Sequence, residues 1–206
     1  MFITFEGIDF CGKSTQVILL KEYLERNGET VKLIREPGGT EISEEIRKIL
    51  LDIKNSKMVF ETEFLLFSAA RSQLVREVIR PTLDKNYFVI SDRFHDSSTV
   101  YQGYGRGISL EAIAQIHKLA IGNTIPDVTF ILDIPLEEAE RRKKVNTNIN
   151  LDRIENSHEK FFQKVRKGYL ELSKTEKRFR LIDGMLPVDV VHNKILSELK
   201  NFKKLK

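Results

Sequence analysis

Residues 7–14 constrain this chain more than any other stretch. They read Gly7-Ile8-Asp9-Phe10-Cys11-Gly12-Lys13-Ser14, a full match to GxxxxGK[ST], with Thr15 following. The apolar run Met1 to Phe5 precedes them, and Val17, Leu20 and Leu24 recur after them at helical spacing. A glycine-rich turn between a strand and a helix is a phosphate loop, because backbone N–H groups converge there on an anion at the positive end of the helix. In such a loop Lys13 reaches the β and γ phosphates of a nucleotide, and the Ser14 hydroxyl ligates Mg2+.

The rest of the chain supplies the neighbours that such a unit needs. Val31 to Ile34, Tyr87 to Ile90, Val128 to Leu132 and Phe179 to Ile182 read as further strands. Helical patterns over Lys13 to Arg26, Glu41 to Leu51, Glu61 to Ile79, Glu137 to Lys144, His158 to Leu172 and Val188 to Leu199 separate them, with another helix opening at Ser109 after Gly103, Gly105 and Gly107. Asn27-Gly28 closes the first helix, and Pro81 is expected to end or kink the third. Val145 to Asn150 reads as a mobile polar loop. Strands alternating with helices predict an α/β three-layer sandwich: a five-stranded parallel sheet flanked by helices, in one domain over residues 1–206.

Composition narrows the class. With 41% hydrophobic and 31% charged residues the chain is neither disordered nor low-complexity. A net charge of +4 is too mild for a nucleic-acid-binding stripe. No apolar run reaches the roughly 18–20 residues of a membrane span, and Met1 to Asp9 has no basic leader region. Cys11 is the only cysteine, so no intrachain disulfide forms and a cytoplasmic location is expected.

Polar residues collect at the carboxyl ends of the strands, where open α/β sheets bind ligands: Gly7, Arg35-Glu36, Asp92-Arg93, Asp133 and Asp183. A phosphate loop alone leaves GTPases, motor ATPases and small-molecule kinases open. Asn193-Lys194 is followed by Ile195-Leu196, so the guanine-reading Asn-Lys-x-Asp motif is missing there.

Further motifs narrow the choice. Phe5-Glu6-Gly7-Ile8-Asp9, Arg35-Glu36-Pro37-Gly38-Gly39-Thr40, Leu66-Phe67-Ser68-Ala69-Ala70-Arg71, Asp92-Arg93-Phe94, Tyr101-Gln102-Gly103 and Leu151-Asp152-Arg153-Ile154-Glu155 occur in that order. Together they strongly resemble the bacterial thymidylate kinase family, which transfers a phosphoryl group from ATP to dTMP, giving dTDP. The resemblance spans nearly the whole chain, and it implies a nucleoside monophosphate kinase-like fold, Mg2+ as cofactor and a homodimer.

The same resemblance implies roles for individual residues. Gly7, Ile8, Asp9, Phe10, Cys11, Gly12, Lys13, Ser14 and Thr15 would hold ATP. Asp9 would face the acceptor near the sugar 3′-hydroxyl; a solvated loop acid is the alternative. Phe67 would stack on thymine and Arg71, a donor-only group that prefers thymine O4 to the amino group of cytosine, would donate to its carbonyl edge. Those two are four apart and share a helix face, although Phe67 alone reads equally well as core. Arg93 would bind the acceptor phosphate with Arg47, Asp92 would organise the Mg2+ shell beside Ser14, and Glu36 and Pro37 would line the dTMP pocket. Ser98, Tyr101 and Gln102 would read the base edge and the deoxyribose, with Tyr101 excluding a ribose 2′-hydroxyl.

The segment from Arg141 to Glu155 would be the lid over ATP. Phe10 departs from the pattern, because some family members carry a catalytic arginine there. The lid must then supply that charge, with Arg142 and Arg153 as candidates. None of His95, His117, His158 and His192 reads as catalytic. A deoxynucleoside kinase, another nucleoside monophosphate kinase and a nucleotide-binding scaffold without turnover remain as alternatives.

Overall fold

In the computed structural model, which describes residues 1–145 and 151–204, five strands form one parallel sheet: β1 (Phe2–Glu6), β2 (Val31–Arg35), β3 (Phe88–Asp92), β4 (Val128–Asp133) and β5 (Phe179–Asp183). Their order is β2-β3-β1-β4-β5, so β1 is central and β2 and β5 are the edges. β1 is buried along its whole length and β3 and β4 nearly so, whereas β2 and β5 alternate. Continuous burial is why the central strands read as apolar runs. Between β1 and β4 the buried hydroxyls of Thr4 and Thr129 satisfy each other at 2.7 Å.

The helices are α1 (Lys13–Arg26), α2 (Glu41–Leu51), α3 (Phe60–Leu74), α4 (Arg80–Asp84), α5 (His95–Ser98), α6 (Leu110–Ile121), α7 (Leu136–Val145), α8 (Glu159–Leu172) and α9 (Val188–Lys204). α1 and α9 pack together against the sheet, while α8 packs on β4 and α3 against α2 and α6. Local signals explain several boundaries. Thr40 caps α2 by accepting from the Ser43 N–H at 3.1 Å, and Ser109 caps α6 by accepting from Ala112. The five strands and α1 and α2 fall within one or two residues of their sequence-based positions.

Of the two outcomes expected at Pro81, it does not end the helix: a π-helical turn, Val75–Ile79, joins α3 to α4, with Pro81 the second residue of α4. A π-helical turn is where a helix absorbs a residue that cannot complete the regular ladder. Of the glycines before α6, Gly103 and Gly105 lie in a second π-helical turn, Thr99–Gly105. A Cβ on Gly103 would come within 2.6 Å of Leu110, and one on Gly105 within 2.5 Å of Phe161, so these glycines admit α6 and α8 at close range. The polar stretch 146–150 lies outside the described residues.

Because the sheet is parallel, the turns that follow the strands all lie at its carboxyl end. Phe5 lies opposite Asp92 on one side and Phe130 on the other, which aligns the ends of β1, β3 and β4. The chain leaves β1 toward β2 and crosses to the other side after β3, so β1 and β3 flank the point where the winding reverses.

A buried ion pair anchors α5 beneath this edge. Arg178 donates to both oxygens of Asp96, at 2.6 and 2.8 Å, and to Thr129 Oγ1 at 2.8 Å. Burial pushes the neighbouring imidazoles of His95 and His117 down, to about 4 and about 2, so both are neutral packing groups. Arg178→Met leaves the Asp96 charge buried without its partner. Urea unfolding of that variant is expected to show a loss of about 3–5 kcal/mol; a change below about 1 kcal/mol would mean that the pair is not a buried anchor.

Candidate active site

The phosphate loop is built by backbone geometry. Gly7 (φ 135°) and Gly12 (φ 99°) take conformations that side chains resist, and a Cβ on Gly7 would sit 2.4 Å from the Leu132 carbonyl oxygen. Phe10 is also left-handed, at φ 64°. Gly12 opens α1 without a side-chain cap, and the first turn carries no acid. The first amide groups of α1 are therefore left for an anion. Lys13, buried, donates from Nζ to the carbonyls of Gly7 (3.2 Å) and Ile8 (2.9 Å), holding its charge under the loop. The Ser14 hydroxyl donates to Asp92 at 2.8 Å.

Arg142 of α7 closes the other side of this loop. It donates to the carbonyls of Phe10 (3.3 Å) and Gly184 (2.9 Å) while Glu138 holds its Nε at 2.7 Å. Arg141 lines the same cavity, together with Leu186 just before α9 and Val188 at its start. The Phe10 side chain lines this cavity and also a small apolar crevice beside Leu136, Ala139 and Phe162.

A second cavity opens between α3, the Thr99–Gly105 turn and residues 152–155. Phe67 and Arg71 line it from α3, as their four-residue spacing requires. Arg71 is 1% exposed; its Nε donates to Glu36 at 2.7 Å and its NH2 to Ser98 at 3.0 Å, while NH1 has no protein partner. Glu36 Oε1 likewise has none. A buried guanidinium and carboxylate with one open atom each, beside a cavity, are groups built to meet a ligand. Burial pushes the Glu36 carboxyl up to about 7, against the lowering effect of Arg71.

The two cavities share a wall. Asp9, Arg93, Arg47, Glu36 and Glu155 line both. Arg93, left-handed at φ 70°, donates to Asp9 (2.5 Å), to the Gly7 carbonyl (3.0 Å) and to the Tyr101 hydroxyl (3.1 Å). Burial opposes the Asp9 charge, but Arg93 and Lys13 outweigh it and hold that carboxyl below its ordinary range. Arg47 and Arg35 both donate to the Pro37 carbonyl at 2.8 Å, which brings two cations together at the rim.

The structure thus gathers Asp9, Lys13, Ser14, Glu36, Pro37, Arg47, Phe67, Arg71, Asp92, Arg93, Ser98, Tyr101, Gln102 and Arg142 around two adjoining cavities. It does not bring Arg153 to them. That guanidinium pairs with the buried Glu63 at 2.7 Å and donates to the Leu50 carbonyl at 2.9 Å, away from the loop. Arg142 is therefore the one of the two candidate arginines that stands at the phosphate loop.

Glu6 and Glu155 were not singled out from sequence. Glu6 is fully buried and accepts from the Phe94 N–H (2.8 Å), Ser97 Oγ (2.5 Å) and Tyr169 OH (2.8 Å); burial raises its carboxyl pKa. It was quoted within the motif Phe5-Glu6-Gly7-Ile8-Asp9 and closes an apolar strand, but neither signal aimed it at these partners. Glu155 was quoted within a motif, but nothing in the spacing aimed it at the shared wall. Among the described residues no histidine lines either cavity, and no cluster of three or more His, Cys, Asp or Glu forms a metal cage.

Comparison with known proteins gives one answer. The sequence profile of the family described as thymidylate kinase matches residues 5–195. Thymidylate kinases of Kosmotoga olearia (48% identity over 199 residues, 96% of this chain and 94% of the relative) and Chlorobaculum tepidum (45% over 207 residues, 97% and 96%) are among the similar proteins. A crystal structure of thymidylate kinase from Ehrlichia chaffeensis superposes with a TM-score of 0.78 at 36% identity, covering 97% of this chain and 98% of that one.

Lys13→Ala tests the phosphate loop directly. The fold is expected to survive, because Nζ bonds only carbonyls and a sulfur within the loop itself. Nucleotide-dependent turnover is expected to fall by roughly 10²–10³-fold or more. Circular dichroism and steady-state kinetics separate these two; a folded variant of near-normal rate contradicts the assignment.

Proposed function

The chain belongs to the thymidylate kinase family, an ATP-dependent kinase that converts dTMP to dTDP for dTTP synthesis, and from that premise we propose how its own residues carry out the transfer. The observation that carries the proposal is the wall shared by the two cavities: Asp9, Arg93 and Arg47 face both. A donor triphosphate on the loop and an acceptor phosphate in the second cavity would meet there.

The donor phosphates lie on the amides of Gly7 to Thr15 and the first turn of α1, with Lys13 at the β and γ oxygens. dTMP enters the second cavity with thymine on Phe67, its carbonyl edge at the open NH1 of Arg71, and its phosphate on Arg93 and Arg47. The planar fork of arginine suits that phosphate. A phosphate oxygen of dTMP then attacks the γ-phosphorus in line with the leaving ADP oxygen. The P–O bond to ADP breaks as the new one forms. The attacking oxygen is already ionised, so no strong general base is required, and catalysis is positioning and charge neutralisation. Arg142 contributes charge at the transferred group from the far side of the loop.

Ser14 and Asp92 are suited to Mg2+. Their hydroxyl–carboxylate contact places one oxygen ligand and one acceptor of metal-bound water together, and Mg2+ is usually held by one or two carboxylates plus substrate phosphates rather than by a protein cage. Held there by Ser14 and, through water, by Asp92, the ion would supply positive charge that neutralises the phosphates.

Tyr101 supports the preference for a deoxyribose. Its hydroxyl is fixed by Arg93 and Asp9, and its ring packs edge-on against Phe161 and Tyr169, so it has no room to yield to a 2′-hydroxyl. The chain acts as one kinase domain with residues 141–155 as its lid. Leu65 of α3 and Leu119 of α6, helices that pack together, expose 53% and 74% of their surface and support a homodimer. The single free cysteine fits the reducing cytoplasm, and no described helix is long and apolar enough to cross a membrane.

Arg71→Ala is expected to raise KM for dTMP by about 10- to 100-fold with little change in KM for ATP; equal effects on both substrates contradict base recognition by Arg71. The raised Glu36 pKa adds a pH dependence. Above about 7 Glu36 is ionised and orients Arg71; below it the proton removes that partner. KM for dTMP should therefore rise as pH falls through about 7. The substrate phosphate itself titrates near pH 6, so Glu36→Gln is the control: its residual pH dependence should lack the step near 7, and an unaltered profile would remove Glu36 from this role.

A further inference from the structure

Glu63 lies in the first turn of α3 and is 0% exposed. Its Oε1 accepts from Gln102 Nε2 at 2.9 Å and from Arg106 Nε at 3.3 Å, and its Oε2 pairs with Arg153 NH1 at 2.7 Å. Arg153 is tied further by its backbone N–H to the Leu51 carbonyl at 3.2 Å. One carboxylate thus joins three segments that wall the acceptor cavity: α3 with Phe67 and Arg71, the Thr99–Gly105 turn with Tyr101 and Gln102, and residues 152–155. Glu63 itself lines neither cavity, and the mechanism above gives it no task.

Its chemistry nevertheless reaches the cavity through Gln102. A carboxylate paired with two guanidinium groups only accepts hydrogen bonds. The Gln102 amide must therefore turn its nitrogen to Glu63, and Oε1 is the group left for the cavity that Gln102 lines. That face is an acceptor. Thymine N3 carries a hydrogen and donates, whereas cytosine N3 accepts and would meet oxygen with a lone pair. A site built around one hydrogen-bond sense rejects the wrong partner because buried groups are left unpaired.

We propose that Glu63 is a positioning residue for base selectivity: it locks the Gln102 amide with its oxygen toward the acceptor base and pins residues 152–155 against the same pocket. This rests on the assignment of Gln102 to the base edge. Glu63 acts on both through residues distant in sequence, and it touches no substrate.

Glu63→Gln removes the lock, since a glutamine offers a donor as well as an acceptor and lets Gln102 turn. Steady-state kinetics with dTMP and dCMP as acceptors read the effect. The ratio of kcat/KM for dTMP over dCMP is expected to fall about tenfold or more, chiefly through KM of the acceptor, with KM for ATP unchanged. If the buried charge imbalance prevents folding, Glu63→Gln combined with Arg153→Met removes one charge of each sign and should give the same change in ratio. Gln102→Leu separates the two levels of the argument. Unchanged discrimination in Gln102→Leu strikes the base-edge assignment itself. Discrimination lost in Gln102→Leu but kept in Glu63→Gln overturns the present proposal. So does a Glu63→Gln enzyme with lower rate and lower melting temperature but the same dTMP-to-dCMP ratio, since that is what a purely structural carboxylate would give.

Discussion

The Arg93 guanidinium is the contact on which the site depends. Its backbone N–H donates to the Phe5 carbonyl at 2.9 Å, which extends the β1–β3 pairing one step past the strand end. Its side chain then crosses to the phosphate loop, bonding the Gly7 carbonyl and Asp9, and reaches Tyr101 and Tyr169 on the opposite wall. The left-handed backbone of Arg93 is the local cost of that turn. Below it, Glu6 gathers the Phe94 N–H, Ser97 and Tyr169 around a buried carboxylate. Loop, central strands, π-helical turn and α8 are thereby held in one arrangement by a few charged hydrogen bonds, each stronger than a neutral one.

This arrangement explains the division of labour. A parallel sheet brings its polar turns to one edge, and the reversal of winding between β1 and β3 leaves a crevice there. The phosphate loop fills one half with backbone amides and Lys13. The other half is walled by α3 and the Thr99–Gly105 turn, whose glycines allow α6 and α8 to press in. Cations line the boundary from both sides: Lys13 and Arg142 at the loop, Arg93 and Arg47 on the wall shared with the second cavity. Charge that spreads over a transferred phosphoryl group meets donors already in position, so little reorganisation is needed during the reaction.

The legible part of the sequence was the local part. The phosphate loop, the strand-end acids and arginines, and the Phe67–Arg71 pair all depend on neighbours within a few residues, and the structure assembles them as spacing and motif order implied. Long-range pairing was not legible. Arg153 reads like any lid cation until Glu63, ninety positions earlier in the chain, is seen to hold it. Glu63 in turn reads as an ordinary acid of a helical first turn, although it is buried beneath three partners. The π-helical turn at Thr99–Gly105 carried no local signal either; it packs against α3, α6 and α8, which come from other parts of the chain. Phe10 is the intermediate case: its departure from the family pattern was plain, but its position beside Leu136, Ala139 and Phe162 depended on α7 and α8.

The central claim is that the second cavity takes a phosphorylated deoxypyrimidine and passes it the γ-phosphate held on the loop. Coupled ADP release with Mg-ATP, measured against dTMP, dUMP, UMP, CMP, AMP and thymidine in parallel, tests it most directly. The account predicts fast turnover with dTMP, some with dUMP and little with the others, because the pocket offers donors for a thymine carbonyl, a closed wall at C2′ and arginines for a phosphate. Turnover with thymidine and none with dTMP would contradict it, since the arginine-lined wall would then have no acceptor phosphate to bind.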